Sequence, residues 1–259
     1  MGTYLDTILD AHRAAAAVDE RPLEELLHRA EAMAPTRPFA AALTDDDDLA
    51  VIAEVKRRSP SKGPLALHLD PASLAVSYQC GGAACLSVLT DGEFFGGSAA
   101  DLAEARAACD LPVLRKDFTV DERDVVDTRL MGADAVLLIV AALDDELLRR
   151  CLDRAASLGL AALVEVHGAA ELARAAALGA TLIGVNQRNL MTFEVDRSLA
   201  ARLAAEMPAG AVTVAESGVR GAEDAVALAA AGYDAVLVGE TLVTSDDPGA
   251  AVIDLRAGG

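Results

Sequence analysis

Eight short runs rich in valine, isoleucine, leucine and alanine recur along this chain, and their spacing restricts the possible folds more than any other feature. They are Val51–Lys56, Cys85–Leu89, Pro112–Lys116, Ala135–Val140, Ala161–Val166, Leu182–Asn186, Val212–Glu216 and Ala235–Gly239. Successive starts lie 21 to 34 residues apart, about one strand plus one helix, and the intervening segments are alanine- and leucine-rich at helical period. Such alternation predicts a parallel sheet, and eight βα units close a (β/α)₈ barrel, the TIM barrel of α/β proteins. An open doubly wound sheet is the alternative. At 259 residues the chain suits one barrel domain spanning residues 1–259, with 1–50 as an N-terminal helical extension.

Local signals agree with that division. Pro71 after Asp70 opens a helix, Ser98 with Asp101 resembles a capping box, and Gly132, Gly159, Gly179 and Gly232 stand where helices should end before a strand. In the extension, Leu5, Ile8, Leu9 and His12 share one helical face, and Leu23, Leu26, Leu27 and Ala30 share another. Asp45–Asp48 reads as a solvated turn, since the ligand spacing and the glycine of a calcium loop are missing.

The formal charge of −19 excludes nucleic acid and anionic membranes as partners, because both require a basic surface. Any anion site must then be local. Cys80, Cys85, Cys109 and Cys151 lie far apart with no CxxC pair and no histidine at ligand spacing, so no metal site or disulfide framework is expected. With no secretory leader pattern and no spanning apolar run, the protein is expected in the cytoplasm.

Only three lysines occur, Lys56, Lys62 and Lys116, and only two asparagines, Asn186 and Asn189, all at or just beyond strand exits. A lysine in a desolvated site can be tuned to exchange a proton, whereas arginine cannot. The C-terminal ends of barrel strands line the active site. Strand alternation places Glu54 with Lys56, and Glu165 with His167, on common faces. If those faces point inward, Glu54, Lys56, Lys116, Glu165, Asn186, Arg188 and Glu216 converge at one mouth. Two amines and three carboxylates brought together there suit acid–base chemistry, because burial and proximity push their pKa values apart. A Schiff-base role for Lys116 is the alternative. Ser59-Pro60-Ser61-Lys62-Gly63, Ser217-Gly218 and Gly239-Glu240-Thr241 follow strands one, seven and eight. Glycine and serine turns at such places bind phosphate through backbone N–H groups.

These residues also carry a resemblance. Val51-Ile52-Ala53-Glu54-Val55-Lys56-Arg57-Arg58-Ser59-Pro60-Ser61-Lys62-Gly63 resembles the first-strand motif of the indole-3-glycerol phosphate synthases. The likeness continues through Phe95-Gly96-Gly97-Ser98, Leu114-Arg115-Lys116-Asp117-Phe118, Leu163-Val164-Glu165-Val166-His167, Gly184-Val185-Asn186-Gln187-Arg188-Asn189-Leu190, Val214-Ala215-Glu216-Ser217-Gly218 and Val238-Gly239-Glu240. It implies a cofactor-free lyase and decarboxylase of tryptophan biosynthesis. The substrate would be 1-(2-carboxyphenylamino)-1-deoxyribulose 5-phosphate, a small anion. By resemblance, Lys116 is the general acid, Glu165 the general base, and Lys56 the holder of the anthranilate carboxylate. Glu54 orients the lysines, Asn186 and Glu216 hydrogen-bond the reacting groups, and Arg188 adds positive charge. Ser59, Gly218, Gly239 and Glu240 match the phosphate side, with Ser217 a binding candidate from its place in the same turn as Gly218, while Phe95 and Phe118 match the walls around the aromatic ring. Gln187, Asn189 and Glu240 depart from the usual pattern. Another phosphate-binding TIM-barrel enzyme, or a duplicate serving a specialised indole pathway, is the alternative, and a monomer or weak homo-oligomer is expected.

Overall fold

The computed structural model describes residues 3–45 and 48–256; Asp46 and Asp47 of the acidic turn, and both chain ends of the expected 1–259 domain, lie outside them. Eight parallel strands form a closed barrel in sequence order. They are β1 (Ala50–Val55), β2 (Cys85–Leu89), β3 (Val113–Lys116), β4 (Ala135–Ile139), β5 (Ala161–Val166), β6 (Leu182–Asn186), β7 (Val212–Glu216) and β8 (Ala235–Val238). Closure is made by β8 against β1, with Ala50 beside Ala235 and Ala53 beside Val238. Strand boundaries differ from the sequence expectation by a residue at several ends, and Val140 opens a short 3₁₀ turn instead of extending β4.

The strand bodies are buried on both faces, which is why they read as near-continuous apolar runs. Polar side chains appear where the runs end. The glycines expected to close helices do so in left-handed backbone, at φ +87° for Gly132, +71° for Gly159, +81° for Gly179 and +93° for Gly232. Asp70 caps its helix by accepting from Ser73 N–H at 3.0 Å. Ser98 accepts from Asp101 N–H at 3.1 Å, but the reciprocal half of the box is absent, because the Asp101 carboxylate pairs with Arg57 at 2.7 Å instead.

Ahead of the barrel lie α1 (Tyr4–Ala17) and α2 (Leu23–Glu31). Thr3 and Asp6 form a reciprocal capping box at the start of α1. Ile8 and Leu9 of α1, with Leu26 and Ala30 of α2, are buried, so both helices dock by the faces that the spacing picks out. At the N-terminal end of β4, Asp134 is buried and accepts from Arg37 N–H at 2.7 Å and Val113 N–H at 2.8 Å while pairing with Arg106. This ties the extension to the floor of the barrel, opposite the mouth.

Candidate active site

At the C-terminal ends of the strands lies a cavity of about 500 Å³. Its lining includes every residue proposed above for the site: Glu54, Lys56, Ser59, Phe95, Lys116, Phe118, Glu165, Asn186, Arg188, Glu216, Ser217, Gly218, Gly239 and Glu240. His167 is the exception among the strand-end groups considered. It lines a neighbouring cavity with Glu171, its Nε2 3.2 Å from Glu165 Oε1 and its Nδ1 3.2 Å from Glu171 Oε2.

Lys116, at the end of β3, donates to Glu165 Oε2 at 2.7 Å and to Glu216 Oε2 at 2.6 Å. Both carboxylates are 2% exposed. Burial alone would drive the ammonium's pKa down, but Glu165, Glu216 and Glu54 together hold it above the ordinary lysine value. The two glutamates then separate. Burial pushes Glu165 up, yet Lys116 and the His167 ring outweigh it and hold the carboxyl well below the usual range. Glu216 has burial and the Glu165 charge against it and is pushed up to about 7 despite Lys116. His167, between two carboxylates, is itself raised to about 10 against its own burial. One strand-end cluster therefore holds a charged ammonium, a committed carboxylate and a carboxyl poised near neutrality.

Neighbouring contacts orient these groups. Asn186 Nδ2 donates to Glu165 Oε1 at 3.0 Å, and its Oδ1 accepts from Arg188 N–H at 3.0 Å. Lys56 pairs with Glu54, whose backbone carbonyl accepts from Tyr78 Oη at 3.1 Å. Glu216 Oε1 is buried with no hydrogen-bond partner among the described residues and packs against Gly184. Two glycines create the room. A Cβ on Gly184 would collide with the Glu216 carboxylate, and one on Gly239 would collide with Glu54 and Lys56.

The turns after β1, β7 and β8 form the polar rim. Ser217 and Gly218 both have positive φ, +65° and +81°; for a serine this is uncommon backbone, the sort retained where a site demands it. Lys62 Nζ lies 3.3 Å from Glu240 Oε1, so the Glu240 carboxylate faces a lysine across the rim. Opposite, Phe95 and Phe118 form an aromatic wall, ring centroids 6.0 Å apart.

Residue-type reasoning missed the contribution of the extension. Tyr4, Leu5 and Ile8 of α1, and Leu190, Phe193 and Val195 of the loop after β6, also line the cavity. Tyr4 packs edge-on to Phe193 at 5.2 Å. The available signal is the apolar face of α1, whose Leu5 and Ile8 line the cavity.

A closed parallel barrel with a buried ammonium–carboxylate cluster at its mouth defines a barrel enzyme that moves protons on a small substrate. Residues 5–255 match the family model described as "Indole-3-glycerol phosphate synthase". Indole-3-glycerol phosphate synthase 1 of Streptomyces coelicolor is 54% identical over 99% of this chain and 96% of its own length. The Mycobacteroides abscessus indole-3-glycerol phosphate synthase is 51% identical over 100% and 95%. This chain belongs to the indole-3-glycerol phosphate synthase family. Among solved structures, 3-hexulose-6-phosphate synthase superposes with a TM-score of 0.61 at 19% identity, covering 82% of this chain and 99% of that one. At that identity the match speaks to the barrel alone. No described helix is long and apolar enough to cross a membrane.

Proposed function

We propose that this protein converts 1-(2-carboxyphenylamino)-1-deoxyribulose 5-phosphate to indole-3-glycerol phosphate, CO₂ and water, as a carbon–carbon lyase of the carboxy-lyase type. The observation that supports it most is Lys116 held between Glu165 and Glu216, which places a proton donor and two differently tuned carboxyls within one substrate's reach. In this reading the phosphate sits on the rim formed by Ser59, Ser217, Gly218, Gly239 and the backbone of Glu240, and the aromatic ring sits against Phe95 and Phe118. Lys56 meets the anthranilate carboxylate, kept in place by Glu54.

As the aryl carbon attacks the ribulose carbonyl, Lys116 gives its proton to the carbonyl oxygen, which becomes a hydroxyl. Breaking the bond to the carboxylate then releases CO₂ and returns its electron pair to the ring system. Glu165 then removes a proton from the carbon next to the ring nitrogen while the Lys56 ammonium gives a proton to the departing hydroxyl, which leaves as water; Asn186 and Glu216 hold the reacting hydroxyl or amine. Arg188 adds positive charge at the cavity wall. Residues 1–259 act as one domain, with 1–50 supplying part of the cavity roof.

The test is to incubate purified protein with that substrate in EDTA, without added cofactor, and follow indole fluorescence. Product at catalytic protein concentration is expected. Its absence, with folded protein and verified substrate, would refute the assignment.

A further inference from the structure

His12 lies on α1 one turn beyond Ile8, on the stripe that covers the cavity. Its Nε2 is 3.0 Å from Asp91 Oδ2 and 3.9 Å from Asp117 Oδ1. Each carboxylate organises a loop bearing one aromatic wall. Asp91 Oδ1 accepts from the backbone N–H groups of Phe94 at 2.6 Å and Phe95 at 3.0 Å. Asp117 Oδ1 accepts from Phe118 N–H at 2.9 Å, and its Oδ2 pairs with Arg115 at 2.9 Å and takes the Thr90 hydroxyl. The imidazole also packs against Phe118, ring centroids 5.5 Å apart. One side chain of the extension thus touches the anchors of both loops and the flank of one wall.

We propose that His12 is a positioning residue for the aromatic end of the substrate: by bridging α1 to Asp91 and Asp117 it fixes the slot between Phe95 and Phe118. The inference rests on the function proposed above, since that reading places an aromatic ring in the slot. A cation site built from the same three side chains fits less well, because Asp91 Oδ1 and both Asp117 oxygens already serve N–H, hydroxyl or guanidinium donors.

The bridge depends on pH. Facing the ring are Asp91 and Asp117 from the two loops and Asp124 from the helix Glu122–Leu130, with Arg115 offsetting part of the Asp117 charge. Arg13, next on α1, turns away to the Ala142 carbonyl at 3.0 Å. The hydrogen bond to Asp91 raises the ring's pKa above the ordinary histidine value, against partial burial. A raised folded-state value means that the charged bridge is complete below the ordinary histidine range and weakens as pH climbs through the raised value.

Steady-state kinetics of wild type, His12→Leu and His12→Asn from about pH 6 to 9 test this. At the acid end His12→Leu should raise KM about fivefold while kcat changes by less than about twofold. The ratio of variant to wild-type KM should fall toward one as pH climbs, whatever pH dependence Glu216 gives to all three proteins. His12→Asn keeps a donor toward Asp91 without a charge and carries the same test if His12→Leu does not fold. A KM and pH profile matching wild type, or a loss confined to kcat, overturns the proposal. Fluorescence titration with anthranilate alone reads the slot without turnover. Tighter binding by wild type at low pH supports the proposal; equal affinity, or no binding by either protein, overturns it. Wild type that binds anthranilate in this pH-dependent way but makes no product would sink the proposed reaction and leave the slot assignment standing.

Discussion

Replacing Lys116 by methionine keeps the stem and removes the ammonium, leaving Glu165 and Glu216 facing each other at the end of a dry barrel. As a side chain at a strand end, Lys116 reads from sequence as a group whose loss would spare the fold. The structure gives a different expectation, because both partners are 2% exposed and share that one cation. Removing one member of a buried ion cluster costs about 3–5 kcal/mol unless the remainder changes protonation. Here it can, since Glu216 is already pushed up to about 7 by burial and by Glu165, and losing the ammonium drives it higher still. A carboxyl whose folded-state pKa is raised contributes stability fully below its unfolded value, and that contribution is lost as pH rises through the folded value. Both proteins begin to lose it near the ordinary glutamate value; wild type has passed most of that loss by pH 7, whereas the variant goes on losing above pH 7. Between about pH 7 and 9 the variant should therefore fall further behind wild type, by up to about 1.4 kcal/mol per pH unit for as long as Glu216 stays protonated. Urea unfolding at both pH values measures this, and indole fluorescence should show kcat lowered about 10²- to 10⁴-fold, the usual worth of a general acid. A stability gap that does not change with pH would refute the reading of the carboxylate pair. Turnover within tenfold of wild type would refute Lys116 as the acid.

Three further outcomes are expected. Glu165→Gln should leave ring closure intact and stall the dehydration, so mass spectrometry of quenched turnovers should find a ring-closed, decarboxylated intermediate; product release at the wild-type rate would remove Glu165 from the base role. Gly184→Ala places a methyl group against the Glu216 carboxylate and Leu163, and kcat should drop about tenfold or more while far-ultraviolet circular dichroism stays unchanged; an unaltered kcat would show that Glu216 has room to move. Asp134→Ala strips the buried partner from Arg106 and from the Arg37 and Val113 N–H groups, so urea unfolding should register a loss of about 3–5 kcal/mol with kcat within a few-fold of wild type, the floor of the barrel being remote from the mouth.

The barrel was legible because each strand is buried on both faces and several are preceded by a helix-ending glycine with one steric job. The runs could be marked off by apolar content, and Gly132, Gly159, Gly179 and Gly232 marked the returns into the next strand. Strand parity also put Glu54 beside Lys56 and Glu165 beside His167, since period-two alternation is local. The pairing of Lys116 was not legible, as it depends on β3, β5 and β7 facing one another across the barrel, a relation set by closure and shear. Asp101 shows the same limit on a small scale. Its spacing from Ser98 suggests a reciprocal cap, but Arg57, from the turn after β1, wins the carboxylate. For His12 the helical face was visible, while its partners, brought in from the exits of β2 and β3, were not. Gly184 was the overlooked clue, being a glycine inside a buried strand with no turn to make.

Closure of β8 on β1 sets an order of events during synthesis. Ala50–Val55 leaves the ribosome early and pairs with Cys85–Leu89 on one side, but its other edge waits for Ala235–Val238. At about 5–20 residues per second, the intervening chain takes on the order of ten seconds or more to appear. For that time the nascent protein exposes a hydrogen-bonding edge that nothing yet made can satisfy, and Gly239, whose missing side chain leaves space for Glu54 and Lys56, has not been translated. A chain stalled before its eighth strand would therefore lack both the closing partner of β1 and the glycine that makes room for Glu54 and Lys56, and is expected to be inactive.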